Sequence, residues 1–262
     1  MIKLVKRLVE DIRSSKYVLT NFVNQELTVK YKRSALGFFW SLLNPMATMI
    51  ISSVVFGSIM RFDLKDFVVF LYAGMLPWNF FGISIDFCGV SILNNEGFIK
   101  KIYLPKIIFP LSTVCAQFIN MLLSMIALFF FMMILGAKVT AALLFLPVSF
   151  LMMFLWTLGF SLLMATANVY FRDMRYIMGV AMNAWYYLTP ILYPISSIPE
   201  TLRPIFYMNP GYYLVDMFRS PIYYNTLPSL FNFEIALFCA LAVFFCGLAL
   251  FYRKEKDFVY RL

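Results

Sequence analysis

Residues 107–137 contain no Asp, Glu, Lys or Arg, and this run decides what the chain can become. An uncharged apolar stretch of more than about 20 residues matches the ~30 Å hydrocarbon core of a bilayer. In that medium the backbone must satisfy its own hydrogen bonds, so the stretch is expected to be a spanning helix. Five further segments repeat the pattern: 34–60, 67–93, 139–171, 176–195 and 235–252. Asn44-Pro45 predicts a kink in the first of these, and Asp86 is the one charge in the second. The uncharged run 220–233 is not a seventh, because Pro221, Asn225, Pro228 and Asn232 interrupt it too often for a helix facing lipid. Only 13% of the residues are charged, against about a quarter in a soluble domain. The expectation is an all-α polytopic integral membrane protein with six transmembrane helices, forming one domain over 1–262.

The basic residues orient it. Of 22 Lys and Arg, seventeen lie in 1–33, 94–106, 172–175 and 253–262, and five in 61–66, 138 and 200–234. The positive-inside rule then places both termini in the cytoplasm. The net charge of +9 sits beside apolar runs, so a nucleic-acid partner is not expected. Within 1–33, Leu4, Leu8 and Ile12 repeat every four residues, as do Leu19, Val23, Leu27 and Tyr31, with Ser14 and Ser15 between the patterns as candidate caps. Such basic amphipathic helices lie in the membrane interface or pack on a partner, and the two are compatible. Acids and bases mix here without an early apolar core, so no cleavable signal peptide is expected.

Three polar places remain. The first is 94–106, NNEGFIKKIYLPK, where Phe98, Ile99, Ile102 and Tyr103 fall at helical spacing beside Lys100 and Lys101, and Pro105 limits any helix. It is either a basic turn that fixes topology or a short amphipathic helix offered to something below the membrane. The second is 196–234, aromatic and punctuated by proline. It is expected to fold back as short helices at 198–207 and 212–218 and to dip into the outer leaflet. Its Tyr207, Tyr212 and Tyr213, with Tyr186, Tyr187 and Tyr193 before it, form an aromatic belt or line an exit. The third comprises the inner ends of the second and fifth segments. Asp86 is a functional candidate by default, but about 20 residues at 1.5 Å rise place it near the inner interface, where a satisfied carboxylate is equally expected. The 172–175 turn, Arg-Asp-Met-Arg, is a positive-inside loop or a polar latch at an inner mouth.

Enzyme chemistry finds little footing. There is no phosphate-cradling GxxxxGK[ST] motif, no histidine, and no pair of acids at fixed spacing within a span. Cys88, Cys115, Cys239 and Cys246 sit in apolar runs without metal spacing and are expected to be small core residues. No cofactor or metal is expected on this chain. A glycan-processing membrane enzyme would need convergent acids and bases, and a secondary transporter more than one buried ionisable group.

Six stretches together carry a resemblance: YKRSALGFFWSLLNP (31–45), LYAGMLPWNFF (71–81), NEGFIKKIYLPK (95–106), NVYFRD (168–173), YPISSIP (193–199) and MNPGYYLVDMFR (208–219). In this order the chain resembles the membrane subunits of ABC-2 type exporters, especially the permeases for O-antigen, capsule and teichoic-acid polysaccharides. The resemblance implies a homodimer in the cytoplasmic (inner) membrane, with two separate nucleotide-binding subunits that hold ATP and Mg. It implies a substrate polysaccharide on an undecaprenyl-type lipid; a drug or another lipid is the alternative cargo. It makes Asn95, Glu96, Gly97, Phe98, Ile99, Lys100, Lys101, Tyr103, Leu104 and Pro105 the coupling segment. Leu104-Pro105-Lys106 stands where many relatives have Phe-Pro-Arg. It places Lys30, Tyr31, Lys32, Arg33 and Trp40, with Arg172 and Asp173, around the inner mouth, and makes the 196–234 loop a set of gate helices over the exit. Aromatic walls suit such a cargo, because flat contacts to sugar faces carry little positional preference.

Overall fold

The computed structural model describes residues 1–29, 40–60 and 64–262, and among them every regular element is helical. Helices α1 (Ile2–Ser14) and α2 (Lys16–Val29) form the N-terminal layer. Helices α3 (Trp40–Met60), α4 (Leu64–Asn94), α5 (Glu96–Lys101), α6 (Ile108–Leu135) and α7 (Leu146–Tyr170) follow. Then come α8 (Met174–Leu188), α9 (Arg203–Tyr207), α10 (Pro210–Arg219), a π-helical turn (Ser220–Tyr224), α11 (Leu230–Lys254) and α12 (Phe258–Arg261). Four helical segments among the described residues are long and apolar enough to cross a membrane: Asp66–Lys101, Ile108–Leu135, Ala141–Tyr170 and Leu230–Lys254.

The chain is organised around α4, which packs against α3, α6, α7, α8 and α10. Buried side chains come from every side of it, among them Leu71, Tyr72, Phe81, Ile85 and Ile92. An all-round apolar helix of this kind is what a central position demands. The most extensive pairing joins α7 to α11, and Gly159 and Gly247 explain it. A Cβ added at Gly159 would come within 2.6 Å of the Val243 and Phe244 backbone, and one at Gly247 would collide with the Gly159 carbonyl. Small residues bring backbones together where lipid leaves no hydrophobic drive between helices. Buried polar bonds fix the register of the other spans. Asn168 donates to the Gly89 carbonyl at 2.7 Å, tying α7 to α4, and Ser149 donates to the Met217 carbonyl at 2.7 Å, tying α7 to α10.

Several boundaries differ from the sequence expectation. The fifth segment, expected over 176–195, is helical only over Met174–Leu188. Its 15 residues span about 22 Å at 1.5 Å rise, less than the hydrocarbon core. The cause is Pro190: the residue before a proline is pushed out of the α region, and Thr189 is extended at φ −100, ψ 127. The last span begins at Leu230, not 235, because the Ser229 side chain accepts from the Asn232 N–H and caps a helix that runs through Glu234. The segment before it is therefore shorter than 196–234, and its helices are Arg203–Tyr207 and Pro210–Arg219, not 198–207 and 212–218. The fourth span starts at Leu146 behind a 3-10 turn over Ala141–Phe145. Pro45 lies inside a continuous α3; residues 34–39 of the expected first span lie outside the described residues. Cys246 is exposed and not a core residue.

The break at Ser14 and Ser15 matches the expected division between the N-terminal helices. The Ser14 hydroxyl donates back to the Asp11 carbonyl at 3.1 Å, and the Ser15 carbonyl accepts the Leu19 N–H at 2.9 Å at the start of α2.

Candidate functional site: a terminal platform, two clefts beside α4 and an arginine staple

One platform is built from α1, the end of α11 and α12. Leu4, Leu8 and Ile12 turn the apolar face of α1 to the core, as their spacing predicts. Arg7 pairs with Glu255 and lies over the Tyr252 ring at 4.1 Å, while the Tyr252 hydroxyl donates to Asp11 at 2.7 Å. Lys106 donates to the Glu255 carbonyl at 2.8 Å. Burial raises the Glu255 carboxyl above its ordinary value, and Arg7 and Lys106 pull it back. At α12, Phe258 is fully buried, Tyr170 donates to Asp257 at 2.8 Å, and Arg261 stacks on the Tyr170 ring at 4.0 Å. The segment after Tyr252 is thus not a free charged tail but the floor that joins α1 to the start of α6.

The 94–106 stretch stands on this floor. Its helix is shorter than Asn95 to Pro105: α5 covers Glu96–Lys101, and Ile102 is extended at φ −130, ψ 135. The expected single apolar face therefore divides. Ile99 packs against the core. Phe98 is 46% exposed and sets its ring edge-on to Phe22 at 5.6 Å, and Phe22 meets Phe109 at 5.3 Å. Ile102 and Tyr103 project outward, Tyr103 fully exposed. Lys100 pairs with Glu96 at 2.5 Å. Tyr103, Leu104 and Pro105 line a cleft of about 390 Å³ that Arg7, Asp11 and Glu255 close from the other side. α2 packs along α6, so its half-buried face meets protein.

Within the membrane layer α4 separates two clefts. One, about 410 Å³, lies between α4, α7 and α8 and includes Trp78, Asn79, Asn183 and Tyr186. The other, about 360 Å³, lies between α3, α4 and α6. Met75, Asn79 and Ile83 line both. At one end of the first, Arg175 donates twice to Asp86, Nε–Oδ1 3.1 Å and Nη2–Oδ2 3.3 Å. Asp86 is therefore a paired carboxylate. The pair is about half exposed on each side, so it contributes little stability but ties the start of α8 to α4. Arg172 and Asp173, the residues singled out from sequence in this turn, are not the ones that pair.

At the other end α8 is held by Asn209. Trp185 donates to Asn209 Oδ1 at 2.7 Å, and Asn209 Nδ2 donates to Thr189 Oγ1 at 2.8 Å and the Leu188 carbonyl at 3.0 Å. The same Asn209 Oδ1 accepts the Gly211 N–H, capping α10. Trp78, Trp156, Phe160 and Trp185 meet at 4.7–6.1 Å between α4, α7 and α8.

Beyond it sits Arg219, only 5% exposed. It donates to the Pro190 carbonyl at 2.7 Å and the Ile191 carbonyl at 3.0 Å, and lies over the Phe70 ring at 3.9 Å. These are carbonyls that the broken end of α8 leaves without intrahelical partners. Gly74 makes room, since a Cβ there would come 2.7 Å from Arg219 Nη2. Arg219→Met should leave two buried carbonyls unpaired, each costing about 1–3 kcal/mol. The expected result is a protein that inserts but unfolds at least 10 °C lower in a melting assay; an unchanged melting temperature would show that the staple carries no stability.

The profile of the ABC-2 type transporter family matches residues 18–223, most of the chain. The chain belongs to the ABC-2 type transporter family. It is 30% identical over 224 residues to the O-antigen export system permease protein RfbA of Myxococcus xanthus, covering 85% of this chain and 86% of that one. It is 30% identical over 194 residues to the RfbA permease of Klebsiella pneumoniae, covering 74% and 75%. It is 25% identical over 207 residues to the polysialic acid transport protein KpsM of Escherichia coli, covering 76% and 78%.

In this ABC-2 subunit the structure brings some expected site residues together and separates others. Asn95 through Pro105 form one ledge between α4 and α6. Tyr207, Tyr212 and Tyr213 cluster, with ring centroids at 5.4 and 5.1 Å, and the Tyr213 hydroxyl donates to the Tyr207 carbonyl. Tyr193 donates to the Tyr187 carbonyl at 2.5 Å, and Tyr186 turns to the α4–α8 cleft. Tyr213 is buried, so its first duty is packing. Trp40 lines the α3–α4–α6 cleft. Lys30, Tyr31, Lys32 and Arg33 lie outside the described residues. Sequence reasoning missed Arg175, Asn209 and Arg219 as positioning residues. Asn209-Pro210 is a capping signal that was available; nothing local marks the carbonyls that Arg219 serves.

Proposed function

We propose that this ABC-2 subunit exports a polysaccharide carried on an undecaprenyl-type lipid, as a six-span homodimer driven by two separate ATPase subunits. The observation that carries the cargo is the likeness to an O-antigen export permease over 85% of the chain, joined by a polysialic acid transporter at greater distance. The 17 to 5 division of basic residues supports both termini lying in the cytoplasm of an inner-membrane protein. One of the five, Arg219, is buried against carbonyls, so the outer side is poorer still in solvated cations. In this reading α3 and α8 supply the two spans beyond the four long ones. Their exposed Ile50, Ile51, Tyr176, Ile177 and Val180 face lipid or the second copy. The α9 and α10 helices cap the exit, and the ledge at 95–105 receives the ATPase stroke.

Purification from cells that make the polymer should bring down a nucleotide-binding protein and a lipid-linked glycan with this chain. Recovery of a different lipid or a drug-like molecule would remove the cargo assignment. Orientation is tested by cysteine labelling from outside. Leu227→Cys is the better outer probe, being exposed, because Asn225 holds a left-handed backbone at φ 58. It should label from outside and Lys256→Cys should not; the reverse would overturn the orientation.

A further inference from the structure

The cleft between α3, α4 and α6 is polar without being charged. Asn44 and Trp40 line it from α3, Asn79 and Phe80 from α4, and Gln117 and Asn120 from α6, with no Asp, Glu, Lys or Arg in its lining among the described residues. Three helices thus aim carboxamides at one place inside the apolar layer. The amides do not satisfy one another. Asn120 Nδ2 donates to Gln117 Oε1 at 3.1 Å, but the buried Asn120 Oδ1 has no partner, although Gln117 is itself only 8% exposed. Among the described residues the Asn79 and Asn44 side chains make no hydrogen bond to one another or to this pair. Polar groups kept from water without partners are unfavourable, and the bilayer supplies none, so packing alone does not account for the array.

We propose that this cleft is a binding site for a neutral saccharide unit. Its occupant must exchange several hydrogen bonds with amides that both donate and accept, which excludes an acyl chain. Among the described residues the cleft lining offers hydrogen bonds and no counter-ion, which suits an uncharged ligand. Trp40 and Phe80 also line it, so part of the wall is aromatic and apolar. A sugar ring has both surfaces, hydroxyls at its rim and C–H groups on its face. The volume, about 360 Å³, lies at the low end of the ~300–1,000 Å³ usual for small-ligand sites. Asn79 lines the neighbouring α4–α8 cleft as well, so a unit held here lies beside a second surface along which a chain can continue. The site deepens the proposed function and rests on the cargo being a polysaccharide.

The test uses the complex of this chain with its ATPase subunits in nanodiscs, titrated with the host's surface polysaccharide after mild-acid release from lipid. Dextran oligosaccharides and inorganic pyrophosphate serve as comparators, and Trp40 fluorescence as the readout. The saccharide should quench the parent, pyrophosphate should not, and Trp40→Phe should remove the signal. Asn79→Leu with Gln117→Leu should weaken binding at least tenfold, the loss of two or more hydrogen bonds, while Asn79→Gln retains most of it. If the double variant does not fold, Asn79→Leu alone should weaken binding severalfold. Unchanged affinity in a folded leucine variant, or equal binding of pyrophosphate, overturns the site. If the parent binds no saccharide yet a glycan co-purifies, the site falls and the cargo assignment stands.

Discussion

Replacing Gly247 with valine should remove folded protein from the membrane. At this crossing the backbones of α7 and α11 touch, and an added Cβ meets the Gly159 carbonyl group, with Gly159 C at 2.9 Å and Cα at 3.0 Å. No flexible side chain is there to yield, so the two longest-paired helices must separate. Forcing extra carbons into a packed interior typically costs about 1–3 kcal/mol, and a clash with backbone belongs at or above the top of that range. Against a total stability of about 5–15 kcal/mol, this is a severe lesion. Monodisperse yield after solubilisation should fall severalfold or more for Gly247→Val and for Gly159→Val. Gly179→Ala on α8, where an added Cβ meets nothing within 4 Å, should behave as the parent. A Gly247→Val protein with parental yield and melting temperature would show that α7 and α11 do not cross as described.

Phe98→Asp should break the link between ATP hydrolysis and export. Under the proposed function the ledge receives force from a separate ATPase subunit, in keeping with a sequence that carries no GxxxxGK[ST] motif. It also joins the central helix α4 to α6, so a push on it moves both. A buried aromatic anchor contributes about 2 kcal/mol or more to a protein dock, which corresponds to roughly thirtyfold in affinity, and an unpaired carboxylate there costs more. The structure adds a complication: Phe98 already touches Phe22, so its loss also loosens α2. Tyr103 separates the two effects, because it is fully exposed. Tyr103→Ala should weaken the ATPase partner without shifting the melting temperature of the isolated chain, whereas Phe98→Asp should do both. Export and ATP turnover in reconstituted vesicles provide the test. If both variants transport and hydrolyse like the parent, the ledge is a turn and nothing more.

What could be read from the sequence follows the range of the forces involved. The apolar runs placed α4, α6, α7 and α11 because lipid penalises charge residue by residue. The Leu4, Leu8 and Ile12 stripe identified the face of α1 that turns inward. The end of α8 was also legible, since Thr189-Pro190 stands in the sequence, but an apolar run that continues to 195 hid it. Glu234 moved the expected start of α11 the other way, although Ser229 was available as a cap. At 95–105 the periodicity of Phe98, Ile99, Ile102 and Tyr103 was real, yet the chain leaves the helix at Ile102 shortly before Pro105, and the face divides. The bonds that define the site lay beyond local reading. Arg7 with Glu255, Arg175 with Asp86, and Arg219 with Pro190 and Ile191 join residues whose neighbourhoods give no hint of each other.

The pairing of Arg7 with Glu255, and of Asp11 with Tyr252, has a consequence for biogenesis. Residues 241 to 248 positions apart close the same floor, and Lys106, at the end of the ledge, is fastened to that floor through Glu255. A ribosome-bound chain that has inserted its first spans carries the ledge but lacks the strut that fixes it. The platform can therefore close only after α11 and Glu255 have been made, well after the ledge itself, so under the proposed function a partner that reads the braced ledge would engage it only once α11 is in place.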